Sequence, residues 1–140
     1  MKNKQEGEKL KKIEDEIKRL NLGDLVQVEW NDASIGKSLS AGLNVDVPVI
    51  SWGLYLGLLG QKNKHIILVQ NNFHYADGLR DLDYTAIPLV WSTRIAVIAG
   101  NHIPSAEAQV LLNSFLMGGR RSLQNRTKQQ HVSNRHDRLD

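Results

Sequence analysis

The sequence predicts a mainly β domain with some helix: five short strands bent into a small barrel, one helix before it and one after. Three observations lead there. From Trp52 to Ile98 the chain runs as successive short apolar segments separated by polar or glycine-containing breaks, as expected of antiparallel strands with tight connections. Inside that stretch, Ile87-Pro88 is followed within a few residues by the strand-like run Arg94 to Ala99. Proline cannot donate to a ladder and so ends its strand, which leaves a tight turn into the next. The flanks, in contrast, carry apolar residues at helical spacing.

Taken in order, residues 1–8 are polar and are expected to be disordered. Lys9 to Leu22 reads as an amphipathic helix, because Leu10, Ile13, Ile17 and Leu20 fall three, four and three apart on one stripe. Glu14 with Lys18 and Asp15 with Arg19 are acid-before-base pairs at i,i+4, and Asn21 and Gly23 mark the exit. The stripe is expected to pack on the barrel; the alternative is a two-helix seam between copies, a homo-oligomer. Asp24 to Trp30 is the first strand, with Val26, Val28 and Trp30 on one face and Leu25, Gln27 and Glu29 on the other. Asn31 to Val49 is a long Ser-, Gly-, Asn- and Asp-rich connection, of a length beyond the ~12–15 residues at which loops are usually functional.

Ile50 to Leu59 is the second strand. Trp52, Leu54, Leu56 and Leu58 face one way, and Gly53, Tyr55 and Gly57 the other, where glycine permits bending or close approach. Residues 60–64 form a polar hairpin loop and His65 to Gln70 a third, central strand. Asn71 to Asp83 is expected to be irregular, Tyr84 to Pro88 the fourth strand and Arg94 to Ala99 the fifth. Ser105 is expected to cap a helix reaching about Met117, with Leu111, Leu112, Phe115 and Leu116 as its apolar face and Gly118-Gly119 as its stop. Arg120 to Asp140 has almost no hydrophobic content and is expected to be disordered or to fold only on binding. The organisation is therefore 1–22 start and helix, 23–100 barrel, 101–119 second helix and 120–140 tail.

Composition narrows the function classes. No apolar run approaches the ~18–20 residues of a spanning helix, and no apolar region of a secretion signal follows the first lysines. The chain has no cysteine, so disulfides and thiolate metal sites are excluded, and a cytoplasmic location without membrane association is expected. Charge is uneven: residues 1–22 carry seven Lys/Arg and five Asp/Glu, residues 23–117 five and eight, and residues 118–140 six and two. The barrel segment is mildly acidic and the basic character sits in its flanks.

The order of elements carries a resemblance. A helix, a first strand with a Trp30-Asn31-Asp32 step, a long loop, the strand Ser51-Trp52-Gly53-Leu54-Tyr55, a hairpin and the Ile87-Pro88 turn together resemble small SH3-like barrels over roughly residues 9–99. The helix ahead of the first strand is similar to the Sm-like arrangement. The resemblance implies a five-stranded SH3-like barrel, and such barrels are usually binding modules, not catalysts.

Candidate chemistry is sparse. The five histidines form no His-x-x-x-His or His-Glu-x-x-His spacing. Asp77, Asp81 and Asp83 do not match a calcium loop, and Arg80 among them opposes a cation; a solvated turn is expected. Gly36-Lys37-Ser38 echoes the end of a phosphate-binding loop, but Asn31 stands where that motif needs glycine. Nothing resembles a Gly-x-Ser-x-Gly elbow. No enzymatic activity, metal or cofactor is expected. Trp30, Trp52 and Trp91 are expected in or beneath the core, whereas Phe73, His74 and Tyr75, in a polar loop, are candidates to contact a base or a peptide side chain. Arg120, Arg121, Arg126, Lys128 and Arg135, interleaved with Gln and Asn, suit phosphate contacts without sequence reading. The expected function is a non-enzymatic module that associates with nucleic acid, RNA favoured, or with a ribonucleoprotein. The alternative is a protein–protein adaptor that uses the barrel groove and the helix stripes.

Overall fold

Five antiparallel strands form one sheet between two helices in the computed structural model, which describes residues 2–32, 46–78 and 80–117. Helix α1 (Lys2–Lys18) precedes β1 (Leu25–Asp32), β2 (Val47–Leu59), β3 (His65–His74), β4 (Arg80–Pro88) and β5 (Ser92–Ala99); α2 (Ser105–Leu116) closes the order. A single 3-10 turn, Leu89–Trp91, joins β4 to β5 where the Ile-Pro step predicts a tight turn. The strand order is β4-β3-β2-β1-β5. The sheet is not closed into a barrel; β4 and β5 are its edges.

Each face of the sheet has its own core. Ile13 and Ile17 of α1 pack with Val26, Val28, Trp30, Tyr55, Ile66 and Leu68 on one side. On the other, Leu111 of α2 packs with Leu56, Ile67 and Val69, joined by the partly buried Leu54, Leu82, Leu112 and Phe115. Strict alternation would keep each strand residue on one side by parity. Register shifts break that rule at four points, two between β1 and β5 and two, both bulges, in β2 and β3. Leu56 and Gly57 together oppose Ile67, so Tyr55 and Leu58 both face α1 while Leu54, Leu56 and Leu59 face α2. Gly57 holds φ +128° there, which residues with a Cβ rarely adopt. The second bulge inserts Gln70 between Val69 and Asn71, opposite Tyr84 and Asp83.

Several expectations are corrected. Residues 2–8, expected to be disordered, belong to α1, and the helix ends at Lys18 instead of Leu22. Lys4, Gln5, Glu6, Glu8 and Lys9 are good helix formers, and propagation from an anchored turn is cheap. The third and fourth strands are longer than the apolar pattern suggests: Asn71↔Asp83, Asn72↔Leu82, Phe73↔Asp81 and His74↔Arg80 continue the ladder. Backbone pairing does not need apolar side chains, and Asn71 Nδ2 donates to Asp83 Oδ2 at 2.8 Å across it. The second strand likewise starts at Val47 and the fifth at Ser92.

Of the three tryptophans only Trp30 is buried, its Nε1 donating to Ser51 Oγ at 3.0 Å. Trp91 is partly exposed on the 3-10 turn, and Trp52 is 53% exposed where α2 leaves the sheet uncovered. Ser105 makes no capping bond; Pro104 holds the N-cap position, and its carbonyl accepts from Ala108 N at 3.0 Å. Leu111 is buried, but Leu112 and Phe115 are only half-buried, Phe115 meeting Tyr84 edge-on with ring centroids 4.7 Å apart.

Candidate binding groove

The turn between β5 and α2 decides how the second helix stands over the sheet, and a buried carboxylate fixes that turn. Asp24, 3% exposed, accepts from Asn21 N at 2.9 Å with Oδ2 and from Asn101 N at 2.8 Å with Oδ1. One side chain thereby joins the exit of α1 to the chain after β5. Gly23, beside it, donates to the Tyr55 carbonyl at 3.0 Å and accepts from Ile103 N at 3.2 Å. Asn101 takes φ +48° in this turn, a conformation Asn tolerates better than most residues. Burial raises the pKa of the neighbouring Tyr55 hydroxyl above its ordinary value, because the phenolate would lose its hydration.

With α2 so placed, a groove of about 630 Å³ opens between it and the sheet. Leu54, Val69 and Leu111 form an apolar part of its lining. Trp52 presents its ring at one side, held by Nε1 donating to Gln27 Oε1 at 2.8 Å. Gln70, the bulge residue, donates to the Trp52 carbonyl at 3.0 Å and accepts from Thr85 Oγ1 at 3.2 Å. The bulge matters: beyond it, parity brings Asn72 and His74 to the α2 side, with Arg80 opposite His74 in the ladder. His102 and Glu107 complete the ionisable lining.

Asn72 has an unusual environment. Its Oδ1 is buried and has no hydrogen-bond partner among the described residues. Such a group costs free energy unless something meets it. Among the described residues, no three His, Asp or Glu side chains stand close enough to share a metal ion, and no helix is long and apolar enough to cross a membrane. What converges in the groove is an aromatic face, amides, two imidazoles, a guanidinium and a carboxylate, a set able to recognise a ligand.

Of the described residues singled out from sequence as contacts, His74 alone lines the groove. Phe73 and Tyr75 are 46% and 41% exposed, but neither lines the groove. Phe73 alternates with Asn72 and His74 and so faces the other side of the sheet. Arg120, Arg121, Arg126, Lys128 and Arg135 lie outside the described residues, as do most of the 31–49 connection and Gly36-Lys37-Ser38. Sequence reasoning missed Trp52, Asn72, Arg80 and His102 as a group. The available signal was Trp52 on an alternating strand, but nothing local says that α2 stops short of it. A scan against family models finds no match, and searches of curated proteins and of solved structures return none.

Proposed function

We propose that this chain is a non-enzymatic binding module for nucleic acid, RNA in preference to DNA, alone or within a ribonucleoprotein. The observation that carries the proposal is the exposed Trp52 ring in one groove with Asn72, His74, Arg80 and His102. Base–aromatic stacking is worth about 1–3 kcal/mol per base and tolerates any sequence, while cations and amides serve phosphates and base edges. The six basic residues among 118–140 would add phosphate contacts. An SH3-like barrel belongs to the same proposal, supported by the five antiparallel strands, the helix before β1 and the 3-10 turn between β4 and β5; so does a cytoplasmic setting.

The test compares the full chain with one ending at Gly119, each titrated with single-stranded RNA at several salt concentrations. Two or three phosphate contacts on a single strand would give a log–log salt slope of about −2, and truncation is expected to lower it. Absence of binding by the full chain at low salt would overturn the proposal. The adaptor reading would then lead. It has its own support in a second cleft of about 570 Å³, where Val90 and Trp91 stand beside Leu10 of α1.

A further inference from the structure

We infer that the groove under α2 is a subsite for one unpaired nucleotide, its base edge read by the Asn72 amide and its phosphate held toward Arg80. This deepens the proposed nucleic-acid function and rests on it only in the choice of ligand class.

Three features of the groove define the occupant. The buried Asn72 Oδ1 has no donor among the described residues, and Asn72 lines the groove. A turn of the Asn72 side chain about its χ angles would bring Oδ1 into the groove, where an N–H or O–H of the occupant can supply the missing donor. Next, the Asn72 amide shares the groove with Leu54, Val69, Leu111 and the open face of Trp52. A flat ring with apolar faces satisfies that lining, whereas a flexible polar chain would leave it wet. Finally, His74 and Arg80 face each other across the ladder two residues beyond Asn72 and Leu82. An anionic group attached to the ring would reach them; among the described residues Glu107 is the one carboxylate in the lining. A flat, N–H-bearing ring on an anionic tether is a nucleotide. Each base carries an N–H donor next to an acceptor on its pairing edge, and an asparagine amide offers the complementary pair. The volume, about 630 Å³, lies within the ~300–1,000 Å³ typical of small-ligand sites.

The second bulge is what makes this set available. Without Gln70 as an inserted residue, parity would send Asn72 and His74 to the α1 side, and the amide would not line the groove.

The experiment measures the affinity of the full chain, wild type and Asn72→Leu, for a mixed-sequence single-stranded oligonucleotide and for an abasic strand of equal length. Wild type should prefer the base-bearing strand by about 5–100-fold, the range of one well-made amide–base pair. In Asn72→Leu the amide's share of the preference should be lost and only the share from stacking on Trp52 remain, with abasic binding unchanged. The melting temperature of Asn72→Leu should stay the same or rise, because an unmet buried acceptor is removed; this separates lost recognition from lost folding. Trp52→Leu should reduce the same preference through stacking. Mononucleotides of the four bases serve as competitors. Displacement that depends on Asn72 assigns the site to free nucleotides as well, and Asn72-dependent binding of a mononucleotide without strand binding would support the subsite while overturning the RNA proposal. A wild type that binds both strands equally, or an Asn72→Leu variant that keeps the full preference, would overturn the subsite and leave the RNA proposal standing. Failure of every strand and mononucleotide to bind at low salt overturns both.

Discussion

Replacing Gly23 by alanine should loosen the roof of the groove, and the structure allows the cost to be worked. Gly23 sits at φ +95°, where a residue with a Cβ loses roughly 1–2 kcal/mol. A Cβ there would lie 2.5 Å from the Ile103 carbonyl oxygen, 3.1 Å from Ile103 Cγ1 and 3.3 Å from Ala108 Cβ. The nearest of these is backbone, so relief requires the β5–α2 turn to move; overpacking of this kind costs about 1–3 kcal/mol. That movement stretches the Ile103 N to Gly23 O bond, already 3.2 Å, at a loss of up to about 1 kcal/mol. Alanine returns roughly 0.4–1 kcal/mol by restricting the unfolded chain. The net is a loss of about 3–4 kcal/mol, a large share of the ~5–15 kcal/mol that holds a typical domain. In urea, with a slope near 2 kcal/mol per molar, the midpoint should fall by about 1.5–2 M. A midpoint within a few tenths molar of wild type, with an unchanged slope, would refute the reasoning that Gly23 is pinned against the Ile103 backbone.

Asp24→Ala should also destabilise strongly, by about 3 kcal/mol, because two backbone N–H groups lose a charged acceptor; urea unfolding indistinguishable from wild type would show that neither bond matters. Raising the pH above neutral should expose the burial of Tyr55. Its folded pKa is raised above the unfolded value of 10.0 by desolvation, so the unfolded state releases its proton first. The Tyr55 contribution is therefore full below about pH 10 and is lost as pH rises through the folded pKa, at up to about 1.4 kcal/mol per pH unit. Urea midpoints measured between pH 9 and 11 should fall less steeply in Tyr55→Phe; equal slopes would show that the hydroxyl is not desolvated.

The bulges at Leu56 and Gln70 connect fold to groove. A sheet with alternating faces can serve α1 and α2 at once, yet its polar end would then present Phe73, not Asn72 and His74, to the α2 side. One inserted residue reverses that assignment. The same residue, Gln70, braces the Trp52 carbonyl, so the feature that turns Asn72 toward the groove also steadies the strand that carries the aromatic ring.

Local pattern alone determined much of the architecture. The alternation of Val26, Val28 and Trp30 marks a strand with one buried face, and Leu10, Ile13, Ile17 and Leu20 mark a helix with one packed stripe, because side-chain direction repeats with backbone period. Pro88 ends its strand wherever the chain folds. Pairing of the polar stretch Asn71–His74 with Arg80–Asp83 was not legible, since ladder bonds between main chains leave no trace in side-chain type. Parity beyond a bulge cannot be read without knowing which residue is inserted. Nor can a sequence say that Trp52 is open: that depends on where α2, 53 residues later at Ser105, is held by Gly23 and Asp24. Strand and helix identity are set by neighbours along the chain. Groove, orphan amide and exposed ring are set by contacts between residues far apart in it, and only the tertiary structure brings those together.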